Sequence, residues 1–126
     1  MIPFSVAFDA ANGIVSVHIS KAAGVPERRA ARDRMIALCL ETGCERALVD
    51  LREVDVTGSR TMDVVNFGLE FARVTKKLRV ANVLPQDSKA VADISLAATL
   101  TEAGGTIKSR TFASVEQARN WLKSAA

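Results

Sequence analysis

The sequence has no tyrosine, a single histidine, one tryptophan and five phenylalanines in 126 residues. Nucleic-acid surfaces combine a concentrated basic stripe with stacking aromatics, so this scarcity argues against a nucleic-acid partner. With only His18, Cys39 and Cys44 as soft donors, the chain lacks a tetrahedral ligand set, and no metal site is expected. Two cysteines are also too few for a disulfide framework; both are read as reduced thiols. No apolar run reaches the ~20 residues of a membrane-crossing helix, so no transmembrane segment is expected. The start lacks the basic-then-apolar pattern of a secretory peptide, which makes the cytoplasm the expected location. There is no glycine-rich phosphate loop, and no cofactor is expected.

What is present describes an ordinary globular domain. Apolar residues make up 48% and charged residues 25% of the chain, the balance of a protein with one packed core. The length fits a single domain spanning 1–126. Seventeen basic against fourteen acidic residues leave a net charge of +3, enough for solubility and a weak pull on anions.

The apolar pattern alternates between strand and helix periods. Phe4 to Phe8 and Ile14 to Ser20 read as strands joined by an Asn12-Gly13 turn, where both residues tolerate positive φ. Val15, Val17 and Ile19 share one face; Ser16 and His18 share the other. Gly24 and Pro26 open a helix that runs to about Thr42, with Ala31, Met35, Leu38 and Thr42 as its inner stripe and Gly43 as its exit. Arg46 to Leu51 has the continuous apolar centre of a strand buried on both faces. A second helix follows Ser59 and runs to about Lys76 or Lys77. Leu78 to Leu84 is a strand ended by Pro85, and Ser88 to Ala103 a helix closed by Gly104-Gly105. Thr106 to Phe112 and Val115 to Ser124 form the last strand and helix, with Ser114 and Gln117 spaced as a capping box. The order β-β-α-β-α-β-α-β-α predicts an α/β fold with a five-stranded, mainly parallel sheet whose first strand is antiparallel.

Leu48-Val49-Asp50-Leu51 and the run from Phe112 to Leu122 carry a likeness to a known family. The chain resembles the STAS-like fold, named for sulfate transporters and anti-sigma factor antagonists. It is most similar to the small stand-alone bacterial branch described as STAS-like or CRAL-TRIO-like. The resemblance implies a non-catalytic regulatory or protein-interaction module, expected as a homodimer with a possible protein partner. The CRAL-TRIO likeness implies an alternative: a carrier or sensor of a lipid or other apolar small molecule. In the antagonists, a kinase phosphorylates the second serine of an Asp-Ser-Ser-Gly-like turn. The matching stretch here is Gly58-Ser59-Arg60-Thr61, so Arg60 holds the acceptor position and cannot be phosphorylated. Thr57, Ser59 and Thr61 have hydroxyls, but Ser59 is expected to cap the helix.

The second helix carries two apolar stripes at ~100° per residue. Met62, Val65, Leu69 and Ala72 form one; Val64, Phe67, Phe71 and Val74 form the other. A helix lying on one sheet needs only one. The second stripe must meet the third helix, a second subunit or an apolar ligand, and Phe67 and Phe71 are expected at a dimer contact. Thr57, Gly58, Ser59 and Arg60 lie where open α/β sheets bind ligands, at the carboxyl ends of the strands. Free N–H groups at the helix start make them a candidate anion or partner loop; Ser59 and Ser88 otherwise read as plain caps. Asp50, Asp55 and Asp87 are further strand-end carboxylates, Asp50 satisfying nearby backbone groups. Arg28, Arg29, Arg32 and Arg34, mixed with Glu27 and Asp33, read as a solvated helix face. His18 has no partner close in sequence, and a catalytic histidine requires one; no enzymatic activity is expected.

Overall fold

The structure is a computed structural model that describes residues 2–57 and 59–124. Five strands and four helices alternate in the expected order: β1 (Phe4–Asp9), β2 (Ile14–Ile19), α1 (Val25–Thr42), β3 (Arg46–Asp50), α2 (Thr61–Ala72), β4 (Leu78–Val83), α3 (Ser88–Ala103), β5 (Ile107–Phe112) and α4 (Val115–Lys123). The sheet order is β1-β2-β3-β4-β5. β1 pairs antiparallel with β2, and the remaining pairs are parallel. No helix among the described residues is long and apolar enough to cross a membrane.

Sequential strand order has a direct consequence. Crossovers of one hand that always step the same way leave their helices on the same face. On that face, Val15, Val17, Ile19, Val80 and Ile107 pack with Ala31, Met35 and Cys39 of α1 and Phe71 of α2. On the other, Ile14, Leu48, Ala81 and Val83 pack with Ala118 and Leu122 of α4 alone. The strand order never reverses, so the crevice that a reversal opens in doubly wound sheets has no counterpart here.

Most local signals act as their chemistry dictates. Gly43 ends α1 at φ 70°, a left-handed cap that glycine adopts without a Cβ penalty. Ser114 Oγ accepts the Gln117 N–H at 3.2 Å and starts α4. Arg79 closes the far end of α4, donating from Nη1 to Ser124 O at 2.8 Å while its guanidinium lies 4.3 Å from the Trp121 ring centre.

Other expectations are corrected. The buried stripe of α1 is Ala31, Met35 and Cys39; Leu38 is half-buried and Thr42 is exposed, its hydroxyl turned back on Leu38 O. α2 stops at Ala72, not Lys76 or Lys77. Val74 N–H bonds Phe71 O in a tightened last turn, and the chain then drops to β4. Ser59 does not cap α2. The cap position is Arg60, whose N–H is bonded by Asp63 Oδ2 at 3.1 Å. Nor does Ser88 cap α3: Asp87 does, accepting from Ala90 N–H at 3.2 Å.

Cys39 and Cys44 are free and buried. Burial pushes the Cys39 thiol up from 9.0 to about 11, with Cys44 adding to the shift. The reactive species is the thiolate, so Cys39 is expected to resist iodoacetamide in the native protein at pH 8 and to react at once in denaturant, read by intact mass. A thiol held neutral by the fold stabilises the folded state below its unfolded value. That contribution is lost as the pH rises from 9.0 towards about 11.

Candidate functional site

α2 is the element that departs from ordinary α/β packing. α1 and α3 lie against strands, whereas α2 makes its close approaches to α3. The reason is small residues along that seam. A Cβ on Gly68 would lie 2.9 Å from both Ala97 O and Leu100 Cβ, so only glycine allows this approach. Thr101 Oγ1 reaches Gly68 O at 3.4 Å from the α3 side. On its opposite flank α2 is tied to α1, where Glu70 Oε1 accepts from Arg29 Nε and Arg32 Nη1, both at 3.0 Å. Those bonds, that of Arg32 foremost, hold the Glu70 carboxyl below its ordinary range. Fastened on both sides, α2 forms a roof standing off the sheet.

Beneath the roof lies a cavity of about 130 Å³. Val17, Ile19, Val49 and Asn82 form its floor; Ala31 and Met35 of α1 and Ile94, Ala97 and Ala98 of α3 form its walls. Val64, Phe67 and Phe71 hang from α2. The lining is mostly apolar, and the volume approaches that of the ~150 Å³ apolar cavities known to take benzene. Pockets for drug-sized molecules are ~300 Å³ or more, so this one suits a compact guest.

The two α2 stripes differ in burial. Phe71 is 7% exposed and Phe67 is half-buried, their rings edge-to-face at 6.3 Å. The Arg32 guanidinium sits 5.0 Å from the Phe67 ring centre. Val74 packs against the same core. The stripe of Val64, Phe67, Phe71 and Val74 therefore points inward, and the outward face is the other one, with Met62 at 61% and Leu69 at 44% exposure.

The charged lining is Arg28 and Arg32 from α1, Asp63 from the start of α2 and Asp93 from α3, with Ser59 beside them. Arg28 and Arg32 are thus not a solvated face. Arg28 donates to Ala23 O at 3.0 Å, Asp55 O at 3.3 Å and Ser59 Oγ at 3.1 Å. Burial draws its guanidinium below the ordinary value, opposed chiefly by Asp63. Asp63 is engaged at the α2 cap and Asp93 by Lys89 at 2.9 Å. Of the described loop residues singled out from sequence, Ser59 alone reaches the cavity. Thr57 is exposed, with its N–H held by Asp55, and Arg60 and Thr61 are exposed at the helix start. Gly58 lies outside the described residues. Asp50, Asp55 and Asp87 stay apart, each bonded to a backbone N–H a few residues on.

His18 does have partners, which sequence proximity concealed. The parallel register sets it opposite Asp50, with Nδ1 3.5 Å from Asp50 Oδ2 and Nε2 2.5 Å from Glu53 Oε2. Arg52 bonds Asp50 through two guanidinium nitrogens besides its backbone N–H and holds that carboxyl below its usual range, with His18 a smaller contributor. Pairing β2 with β3 from sequence would have exposed the contact. Ser5 stands across from His18 on β1. The cluster lies on the sheet face opposite the cavity. Among the described residues no group of three or more histidine, cysteine or carboxylate side chains, this cluster included, is arranged to hold a metal ion.

No family model, curated protein or solved structure matches the chain.

Proposed function

We propose that this protein binds a compact apolar molecule beneath α2, as a carrier or sensor and not as an enzyme. The observation that carries this reading is the roofed cavity itself, an apolar space of about 130 Å³ held open by ties on both sides of α2. Voids of this size in a core forfeit packing energy, so one held open between fastened helices is a feature with a use. Val64, Phe67 and Phe71 would grip the guest, and Arg28 with Ser59 would stand at its polar edge. Native mass spectrometry of the purified chain, followed by denaturing extraction, tests the reading. A reproducible small-molecule adduct released on denaturation is the expected result. A clean apoprotein that also fails to bind benzene near aqueous saturation would overturn it.

A second reading is a STAS-like regulatory module that acts in the cytoplasm as a homodimer or with a protein partner. The element order is in keeping with it, as are the exposed apolar side chains Met62, Leu69 and Leu96 on the outer sides of α2 and α3. The cavity reading instead uses Phe67 and Phe71, which line the space beneath α2.

A further inference from the structure

Asn82 is out of place in its strand. β4 reads Leu78-Arg79-Val80-Ala81-Asn82-Val83, and asparagine is depleted from strands. It lies on the cavity floor, as does Ser109 of the neighbouring β5. The Asn82 amide donates from Nδ2 to Ser109 Oγ at 3.1 Å and to Arg110 O at 3.1 Å. A backbone carbonyl can only accept, so the nitrogen must be the end turned towards β5. Both amide hydrogens are then used. The oxygen, Oδ1, receives no donor from any described residue, and it is not among the atoms sealed away without a partner. Ser109 Oγ accepts from Asn82, but its own hydrogen has no acceptor among the described residues. The wall of an apolar cavity thus offers one free acceptor beside one free donor.

We propose that Asn82 and Ser109 recognise a neutral hydroxyl on the guest, which makes the ligand a compact alcohol or phenol and not a plain hydrocarbon. This rests on the cavity reading above. A hydroxyl donates to Asn82 Oδ1 and accepts from the Ser109 hydroxyl at once. A carboxylate has no hydrogen for Oδ1, and an ammonium has no lone pair for the serine. Polar groups left without partners in an apolar space are costly, so a guest that satisfies both is selected over one that satisfies neither. A cavity of about 130 Å³ leaves room for one ring or a short branched chain beside that hydroxyl.

Calorimetric titration of the full chain with phenol and with benzene tests the assignment. Phenol is expected to bind about tenfold more tightly, the ratio of one to two ordinary hydrogen bonds. A wholly apolar cavity gives the opposite order, because phenol must surrender its hydrogen bonds to water. Asn82→Val is expected to erase the phenol advantage while benzene still binds, and Ser109→Ala to reduce it severalfold. If wild-type protein binds the two equally, or prefers benzene, the hydroxyl assignment is wrong while the cavity reading stands. If neither binds, both are wrong. The wild-type comparison decides the matter even if a variant fails to fold.

Discussion

Ala98→Leu is expected to melt above the wild type and to lose its ligand altogether. Ala98 is 8% exposed and lines the cavity, yet it belongs to neither packed cluster of the core. It therefore borders the cavity at its α3 wall. Leucine adds three carbons at ~0.8 kcal/mol per buried methylene, less the loss of side-chain freedom, a net gain of about 1–2 kcal/mol. For a chain of this size that is roughly 3–8 °C in Tm by calorimetry. The same side chain occupies the ring site, so titration with benzene should show no heat of binding. Enlarging a well-packed core residue ordinarily costs about 1–3 kcal/mol, so the sign is the informative quantity. Ala118→Leu supplies the contrast. Ala118 is fully buried inside the α4 cluster, and there the substitution should destabilise. A fall in Tm for Ala98→Leu comparable to that for Ala118→Leu would show that the space beneath α2 is closed in solution. Stability and ligand binding are opposed at this position, as they are wherever a protein keeps a void for use.

The sheet was legible because its signals are local and agree with one another. Period-two runs, the turn before β2 (where Gly13 takes a positive φ but Asn12 does not, unlike the two-residue expectation) and the glycine and proline at the helix ends all describe the same alternation, and the observed strand order follows it. The two stripes of α2 were legible too, but not which one turns inward. That choice depends on Gly68, whose missing side chain seats α2 on Ala97 and Leu100, and a glycine leaves no mark in an apolar pattern. The roles of Arg28 and Arg32 were hidden for a related reason. Mixed charge along a helix describes a solvated face unless another helix crosses it, and Glu70, Ser59 and Phe67 lie 31 or more residues away along the chain. His18 shows the same limit: its partner Asp50 is one strand over, visible only once the parallel register is drawn. Asn82 was passed over inside a strand that otherwise reads as apolar core. Its signal was present, an amide in the middle of a parallel strand, and it needed only the question of where that amide finds its hydrogen bonds.

Gly68→Leu is the substitution expected to cost the most. Even a single Cβ there meets a backbone oxygen, Ala97 O, and the Leu100 Cβ, both at 2.9 Å. Neither atom is the free end of a flexible side chain, so neither can swing aside; the helices themselves must part. At an exposed helical site, glycine to alanine gains up to ~1 kcal/mol from propensity. Here the contact reverses that sign, and Gly68→Ala should already be the less stable protein. Leucine adds a branched side chain to the same closed seam, and a loss of about 3 kcal/mol or more is expected, the upper range for overpacking, or roughly 10 °C in Tm. The functional effect separates this variant from Ala98→Leu. Both lose the guest, but one does so by filling its space in a more stable protein and the other by displacing the roof of a less stable one. Parting α2 from α3 also breaks the reach of Thr101 to Gly68 O and strains the ties from Glu70 to α1. The expected signature is faster amide exchange along α2 with the sheet still protected. A Gly68→Ala protein as stable as the wild type would mean that α2 is not seated on α3. The cavity would then be an unsupported gap that the fold can close, and the binding reading would fall with it.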